Sequence, residues 1–238
     1  NSLAYNCLQF VAWSALLFEL EFWRCTFVLM EKKTIPTDVY AEMTPNPVTM
    51  KFVTDRELIS DGKQADYTEL EMVGESSPLA KELFHFPFVK GVFISANYVT
   101  VTKDESIGWE LVVQQMRGYI RDWLMENEVA VSFVPESIAV KEDPADLTPE
   151  REAKLKDLED AIPTELDDEI IQLLDEFVRP AVEQDGGAID FRAFKDGKVY
   201  VELKGACNGC PSSMQTLKGG IEGLLKSKLE GVEEVVAV

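Results

Sequence analysis

Two cysteines separated by two residues, Cys207 and Cys210, are the side chains of this sequence best suited to bind a metal. The intervening Asn208 and Gly209 let the backbone turn back, because glycine adopts positive φ angles at no steric cost. Both sulfurs can therefore face the same way and share one metal ion. The spacing predicts a thiolate site in the loop that carries these residues.

We expect a helix to follow this loop, which would favour the thiolate form of both cysteines. Ser212 and Gln215 fit a capping box, with Ser212 as the N-cap. The positive end of a helix dipole stabilises anions and lowers the pKa of a thiol. Lys204 and Lys218 would lower it further if they faced the loop. The sequence therefore predicts lowered thiol pKa values.

Each chain supplies fewer ligands than a typical metal cluster requires. Structural zinc sites and iron–sulfur clusters commonly use four ligands, and this part of the chain offers two. The sequence has four cysteines and one histidine, and Cys7, Cys25 and His85 fall in other regions. A second copy of the chain is the simplest source of the missing ligands, because twofold dimers are the commonest oligomers. A site shared at an accessible loop suits a carrier better than an electron-transfer protein.

The spacing alone leaves other chemistry open for the pair. The cysteines could stay reduced or bind zinc adventitiously. They could form the redox pair of a dithiol-disulfide oxidoreductase, although that motif usually accompanies a βαβ pattern and this one follows a β-hairpin. A zinc-bridged interaction module would have the same spacing.

Composition excludes several classes of partner and site. The formal net charge is −20, and such an acidic surface repels nucleic acid phosphates and anionic lipid headgroups. We therefore expect no nucleic acid partner. Four cysteines are too few for a disulfide-stapled secreted domain, and a single histidine excludes any site that needs two from one chain.

Residues 1–29 are apolar and aromatic, unlike the rest of the chain. Charged residues from Glu19 to Arg24 interrupt this stretch before a span of about 20 apolar residues is complete. It also lacks the basic start and cleavage site of a signal peptide. We expect Met30 to be the original start and residues 1–40 to lie outside the working protein. We expect the protein to be cytoplasmic and to have no membrane partner. A membrane-associated helix is the alternative for residues 1–29.

We expect an α+β protein with two small α+β domains, at residues 41–135 and 165–238, joined by an acidic linker over residues 136–164. The linker is rich in acids, proline and alanine and has a weak apolar pattern, so the domains should move relative to each other. In the second domain, apolar periodicity and the Asp196-Gly197 turn predict the order helix, strand, strand, helix, strand. Gly186-Gly187 should end the first of these helices, Pro180 should kink it, and the second should start near Ser213.

The first domain has no cysteine, and we expect it to dock other proteins. Residues 48–54 alternate like a half-buried strand, and Ala96-Asn97 is a turn between two further strands. Pro78 should open a helix capped by Ser76 or Ser77. Residues 109–126 have the apolar spacing of an amphipathic helix.

Several sequence strings resemble the Nfu/NifU-like iron–sulfur cluster scaffold family. GACNGCPSS at residues 205–213, with EQDGG before it and TLKGGIEGLL after it, resembles the C-terminal domain of that family. TPNP at residues 44–47, SPLAKELF and GVFISANYVTVTK resemble its N-terminal domain. The resemblance covers about residues 41–238, and residues 1–29 match nothing in the family.

This resemblance implies a non-enzymatic scaffold. Members of the family would hold a 4Fe-4S cluster between two subunits through the cysteines that match Cys207 and Cys210. The chain would then be a homodimer when cluster-bound, would receive clusters from donor proteins and would deliver them to apo iron–sulfur acceptor proteins.

Overall fold

The computed structural model describes residues 34–60, 62–134, 158, 161–208 and 211–238, with the side chains of residues 211–214 excepted. Cys210 and most of the predicted linker therefore lie outside the described residues. Within this part of the chain, two large apolar cores form, one in each predicted domain. No helix in the described segments is long and apolar enough to cross a membrane.

The first domain is built on an antiparallel sheet of five strands in the order β1-β2-β5-β4-β3. The strands are β1 (Val39–Met43), β2 (Thr49–Thr54), β3 (Gln64–Tyr67), β4 (Val89–Ser95) and β5 (Tyr98–Lys103). The predicted β4–β5 turn is confirmed, with Ala96 at a φ of 43°. β1 begins two residues before the expected start of the domain at residue 41.

Strand β2 is buried along its whole length, whereas its alternating sequence predicts one exposed face. Met50 and Phe52 point into the core beneath the helices of the first domain. Val53 packs on the opposite side with Ala188 of the second domain. The prediction of a half-buried strand is wrong because the second domain covers the face that would otherwise meet water.

Three helices pack with this sheet: α1 (Leu70–Val73), α2 (Pro78–Leu83) and α3 (Trp109–Glu126). The predicted start of α2 is confirmed, since the Ser77 Oγ accepts a hydrogen bond of 3.1 Å from the Ala80 N–H and Pro78 is the first helical residue. The predicted span of α3 is also confirmed. Its buried residues repeat at three- and four-residue intervals: Trp109, Val112, Met116, Ile120 and Leu124.

The second domain has the predicted order of elements. Its helices are α4 (Glu165–Leu173), α5 (Arg179–Gln184) and α6 (Pro211–Lys228), and its strands are β6 (Gly187–Lys195), β7 (Lys198–Gly205) and β8 (Glu234–Ala237). The sheet order is β6-β7-β8, with β7 and β8 parallel. The predicted hairpin turn is confirmed, with positive φ angles at Asp196 and Gly197.

A π-helical segment, Leu174–Val178, separates α4 from α5. Pro180 lies just beyond it. Proline has no backbone N–H, and its ring clashes with the carbonyl four residues earlier, so the preceding turn widens. The sequence predicted a kink at Pro180, and the structure has a π-helical segment shortly before this residue.

Two predictions for α6 are wrong. The helix begins at Pro211, where proline fits because the first helical N–H needs no intrahelical acceptor. Ser212 therefore lies within the first turn and cannot be the N-cap. The helix starts two residues before the predicted start near Ser213, so Ser212 was assigned the wrong position.

Candidate metal site and its surroundings

Cys207 lies in the loop after β7, with its side chain turned into the core of the second domain. The residue is 7% exposed and packs with the apolar side chains of that core. The Ala206 N–H donates to the Gly186 carbonyl at 3.2 Å, and the Asn208 N–H donates to the Gly205 carbonyl at 3.1 Å. The loop is therefore tied to the turn after α5. Because Cys210 lies outside the described residues, the pairing of the two sulfurs stays a prediction.

The turn after α5 forms one wall of the site. Gly186 ends the helix region with a φ of 82°, as predicted, whereas Gly187 begins β6. A Cβ on Gly187 would lie 2.7 Å from the Cys207 Sγ and 2.7 Å from the Lys204 carbonyl oxygen. Glycine is therefore required at residue 187 so that the thiol can approach the strand. The sequence indicated a turn here but not this contact.

Burial raises the pKa of the Cys207 thiol to about 11, and the negative charge of Asp185 adds to the effect. The prediction of a lowered pKa is therefore wrong for this residue. The Lys204 Nζ lies 2.6 Å from the Asp190 carboxylate, and the Lys218 Nζ lies 3.0 Å from that of Glu234, so both ammonium groups are paired elsewhere. Cys207 is protonated at neutral pH, and binding a metal there must release a proton.

A cavity of about 440 Å³ opens beside Cys207. Pro45 of the first domain forms part of its wall. The second domain supplies the rest, which includes Val182, Asp185 and Leu217. The thiol therefore borders a mostly apolar space between the two domains.

Side chains of the first domain bind the two backbone segments that surround Cys207, residues 183–187 and Ala206. The Lys51 Nζ donates to the Glu183 and Gln184 carbonyls at 3.1 and 3.2 Å. These carbonyls end α5, where acceptors lack helical partners and a cation is favourable. Three further hydrogen bonds also run from a first-domain side chain to a second-domain carbonyl. They are Asn46 Nδ2 to Ala206 at 3.1 Å, Tyr98 Oη to Gly187 at 3.2 Å and Thr100 Oγ1 to Gly186 at 2.7 Å.

Apolar contacts accompany these hydrogen bonds. Val53, Phe93, Tyr98 and Ala188 form a buried cluster that joins the two domains. A Cβ on Gly205 would lie 2.7 Å from the Phe93 ring. This contact was not predicted from the sequence, although a lysine in the middle of the apolar strand β2 could have suggested it.

Asp66 of β3 completes the contact from the first domain. The Gly205 backbone N–H donates to its carboxylate, which lowers the pKa, but burial outweighs this and raises the pKa of Asp66 to about 6. Lys204 opposes the rise and Glu202 adds to it. A carboxyl group that titrates near neutrality thus lies at the strand that leads into the Cys207 loop.

Within the described ranges, no cluster of three or more histidine, cysteine, aspartate or glutamate side chains could hold a metal. The fold is that of a two-domain α+β protein, and metal binding by the loop that carries Cys207 and Cys210 stays a prediction.

Two family models match the chain. The model described as "Scaffold protein Nfu/NifU N terminal" matches residues 39–127, and the "NifU-like domain" matches residues 170–236. The chain belongs to the Nfu/NifU family of iron–sulfur cluster scaffold proteins, and the resemblance noted in the sequence is confirmed.

Relatives of the chain carry the same description. The human protein named "NFU1 iron-sulfur cluster scaffold homolog, mitochondrial" is 32% identical over 206 residues, which cover 83% of this chain and 72% of the human protein. The protein of that name from Drosophila sechellia is 32% identical over 204 residues, which cover 84% of this chain and 64% of the fly protein. The chain thus spans less than two-thirds of the fly relative's length.

A solved structure also matches part of the chain. The solution structure of a NifU-like protein from Saccharomyces cerevisiae is 20% identical, covers 43% of this chain and 88% of that chain, and has a TM-score of 0.35. A TM-score this low does not establish a shared overall fold.

Replacing Gly187 should destabilise the second domain. In Gly187→Ala the new methyl group would collide with the Cys207 Sγ and with backbone, so we expect a loss of about 1–3 kcal/mol in the free energy of unfolding. Gly223→Ala is the matched control, because a Cβ there meets nothing within 4 Å and alanine favours a helix by up to about 1 kcal/mol. Denaturant unfolding measures both. Equal stability of Gly187→Ala and the original protein would contradict the close contact.

Alkylation of Cys207 should report its raised pKa. Because the thiolate is the nucleophile, the rate of reaction with iodoacetamide should rise with pH up to about 11. Asp185→Asn should shift this rise to lower pH, since it removes a negative charge. Short pulses followed by peptide mass spectrometry measure the rate at Cys207 alone. A rise in rate with its midpoint at about pH 8.5, the pKa of an ordinary thiol, would contradict burial of the sulfur.

Asp66 should make the protein less stable as the pH rises from about 4 to about 6. The native carboxyl keeps its proton up to about pH 6, whereas the ordinary pKa of an aspartate side chain is 3.8. The folded state therefore binds more protons in this window, and the stabilisation is lost as the pH rises through it. Asp66→Asn keeps an acceptor for the Gly205 N–H without ionising. The free energy of unfolding of Asp66→Asn should exceed that of the original protein by an amount that grows with pH to at most about 3 kcal/mol at neutral pH.

Denaturant unfolding at several pH values measures this gain. Asp104→Asn is a control of opposite sign, because hydrogen bonds from Ser106 lower the pKa of Asp104. At pH values where the Asp104 carboxyl is ionised, Asp104→Asn should therefore lower the free energy of unfolding. A gain for Asp66→Asn that is constant with pH would contradict the raised pKa of Asp66.

Proposed function

We propose that this protein is a non-enzymatic scaffold that binds a 4Fe-4S cluster between two copies of the chain and passes it to apo-proteins. Cys207 and Cys210 of each chain would supply the four thiolate ligands. Membership of the Nfu/NifU family supports the scaffold function, and the chemistry of thiolate ligands fits an iron–sulfur cluster.

The shortage of sulfur donors is the observation that carries this proposal. After residue 40 the sequence contains two cysteines, and the described residues offer no other group of metal ligands. An iron–sulfur cluster typically takes four ligands, chiefly thiolates. Two chains that meet at their cysteine loops would provide that number, and separation of the chains would expose the cluster to an acceptor.

The protonation of Cys207 suits a carrier. A thiol with a pKa of about 11 holds its proton until a metal displaces it. When the cluster leaves, the sulfur recovers a proton at neutral pH, which favours release. Cluster assembly should accordingly weaken in acid, since protons compete with iron for the sulfur.

The same property disfavours a dithiol-disulfide oxidoreductase. Such enzymes attack their substrates with a thiolate, and their reactive cysteines have lowered pKa values. The pKa of the Cys207 thiol is raised instead. A zinc-bridged module uses the same ligands as an iron–sulfur scaffold, so metal analysis after purification in zinc-free medium distinguishes the two.

The remaining features of the proposal concern partners and location. We propose that the first domain docks donor or acceptor proteins, because it carries no cysteine of its own. The cytoplasmic location stays a prediction, since the relatives named above are called mitochondrial.

Reconstitution under anaerobic conditions tests the proposed function. Iron and sulfide should give a brown protein with about four iron atoms per two chains. Cys207→Ala and Cys210→Ala should each lose the visible absorption, whereas Cys25→Ala, in the N-terminal stretch, is the matched control and should keep it. An optical spectrum with iron and sulfide analysis measures the result. Loss of the cluster in the control, or its retention in both site variants, would contradict the assignment.

A further inference from the structure

One face of the first-domain sheet lies over the backbone that holds Cys207. We call this the covering face and define it by four donor side chains: Asn46, Lys51, Tyr98 and Thr100. All four bind carbonyl oxygens, and these carbonyls belong to residues 183–187 and to Ala206. The covering face therefore binds both backbone segments that surround the thiol, residues 183–187 and Ala206.

We propose that the covering face is an intramolecular lock, which closes the Cys207 loop in the cluster-free chain and must release it before two chains can share a cluster. This inference rests on the proposed function, because the competition arises only if two cysteine loops meet. The first domain would then regulate cluster assembly at the same site.

The closed contact between the domains and the approach of a second chain to Cys207 compete for the same space. The Asn46 Nδ2 binds the carbonyl of Ala206, the residue directly before Cys207. Pro45 lines the cavity that Cys207 borders, and Cys207 itself is 7% exposed. A second chain that approached this sulfur from the cavity side would meet the first domain, which must move away to admit it.

The chemistry of the contact suits a reversible lock. Its hydrogen bonds join first-domain side chains to backbone groups of the second domain, and water can replace each of them when the domains separate. Its apolar part is a small cluster of four residues, separate from the two main cores. Each domain can therefore keep its own core while the contact opens.

Lys51 is the central residue of the lock. Its side chain is 11% exposed, and its Nζ lies 3.6 Å from the Glu42 carboxylate and 4.6 Å from the centre of the Tyr98 ring. The same ammonium group binds the two carbonyls at the end of α5. Removing this charge takes hydrogen bonds away from the second domain but leaves every second-domain residue unchanged.

Lys51→Met tests the lock because methionine keeps an unbranched, apolar side chain within the sheet. We expect iodoacetamide to alkylate Cys207 at least about threefold faster, since the loop opens more often. We also expect anaerobic cluster assembly to begin faster by a similar factor. Losing a positive charge disfavours the thiolate, so the charge effect alone would slow alkylation. Faster reaction therefore reports opening of the loop.

Lys90→Met is the matched control. Lys90 lies in β4 of the first domain, with its side chain 59% exposed and its Nζ 3.9 Å from the Asp104 carboxylate. This variant should match the original protein in both rates. Thr100→Val is a second test variant, because it removes the hydrogen bond to Gly186 and retains the branched shape that suits strand β5. Like Lys51→Met, it should increase the rates of Cys207 alkylation and of cluster assembly. Circular dichroism and thermal unfolding verify that each variant is folded.

The two rates separate failure of the lock from failure of the proposed function. Unchanged alkylation in folded Lys51→Met and Thr100→Val would overturn the lock, as would faster alkylation with an unchanged rate of cluster assembly. If neither the original protein nor any variant binds a cluster, the proposed function fails, and the inference falls with it. Faster alkylation together with faster assembly in both variants, but not in Lys90→Met, supports the lock.

Discussion

The close approach of two backbone segments, the turn at Asp185–Gly187 and the loop at Ala206–Cys207, is the constraint on which the site depends. The Ala206 N–H reaches the Gly186 carbonyl, and the space between Gly187 and the sulfur leaves no room for a Cβ. This approach buries the thiol and raises its pKa. It also turns the carbonyls at the end of α5 towards the first domain. The end of α5, the start of β6 and the loop that carries Cys207 therefore form one structural unit.

Burial of the thiol and the contact of its loop with the first domain have a common consequence for metal binding. A protonated, covered sulfur is a poor nucleophile and a poor ligand. It becomes a good ligand when it loses its proton to a metal and when its surroundings open. A chain that contributes too few sulfurs to satisfy a cluster alone would be protected from unwanted chemistry in this state and become competent when a second chain arrives.

The sequence predicted those elements whose pattern is local. Helix α3 followed from apolar spacing and the β6–β7 hairpin from Asp196-Gly197, because short-range sterics and periodicity determine them. The resemblance of the GACNGCPSS string correctly indicated the family. Burial of β2 on both faces and the role of Lys51 were not predicted, since they depend on a contact between domains far apart in sequence. The pKa of Cys207 was predicted in the wrong direction because the spacing of residues does not report burial.

The central claim is that two chains share one cluster through their cysteine loops. Native mass spectrometry of the anaerobically reconstituted protein tests it most directly, because the intact mass gives the number of chains and the inorganic content together. The account predicts one species with the mass of two chains plus four irons and four sulfides, as a single 4Fe-4S cluster requires. A single chain that carries a complete cluster, or two chains that each carry their own, would contradict it.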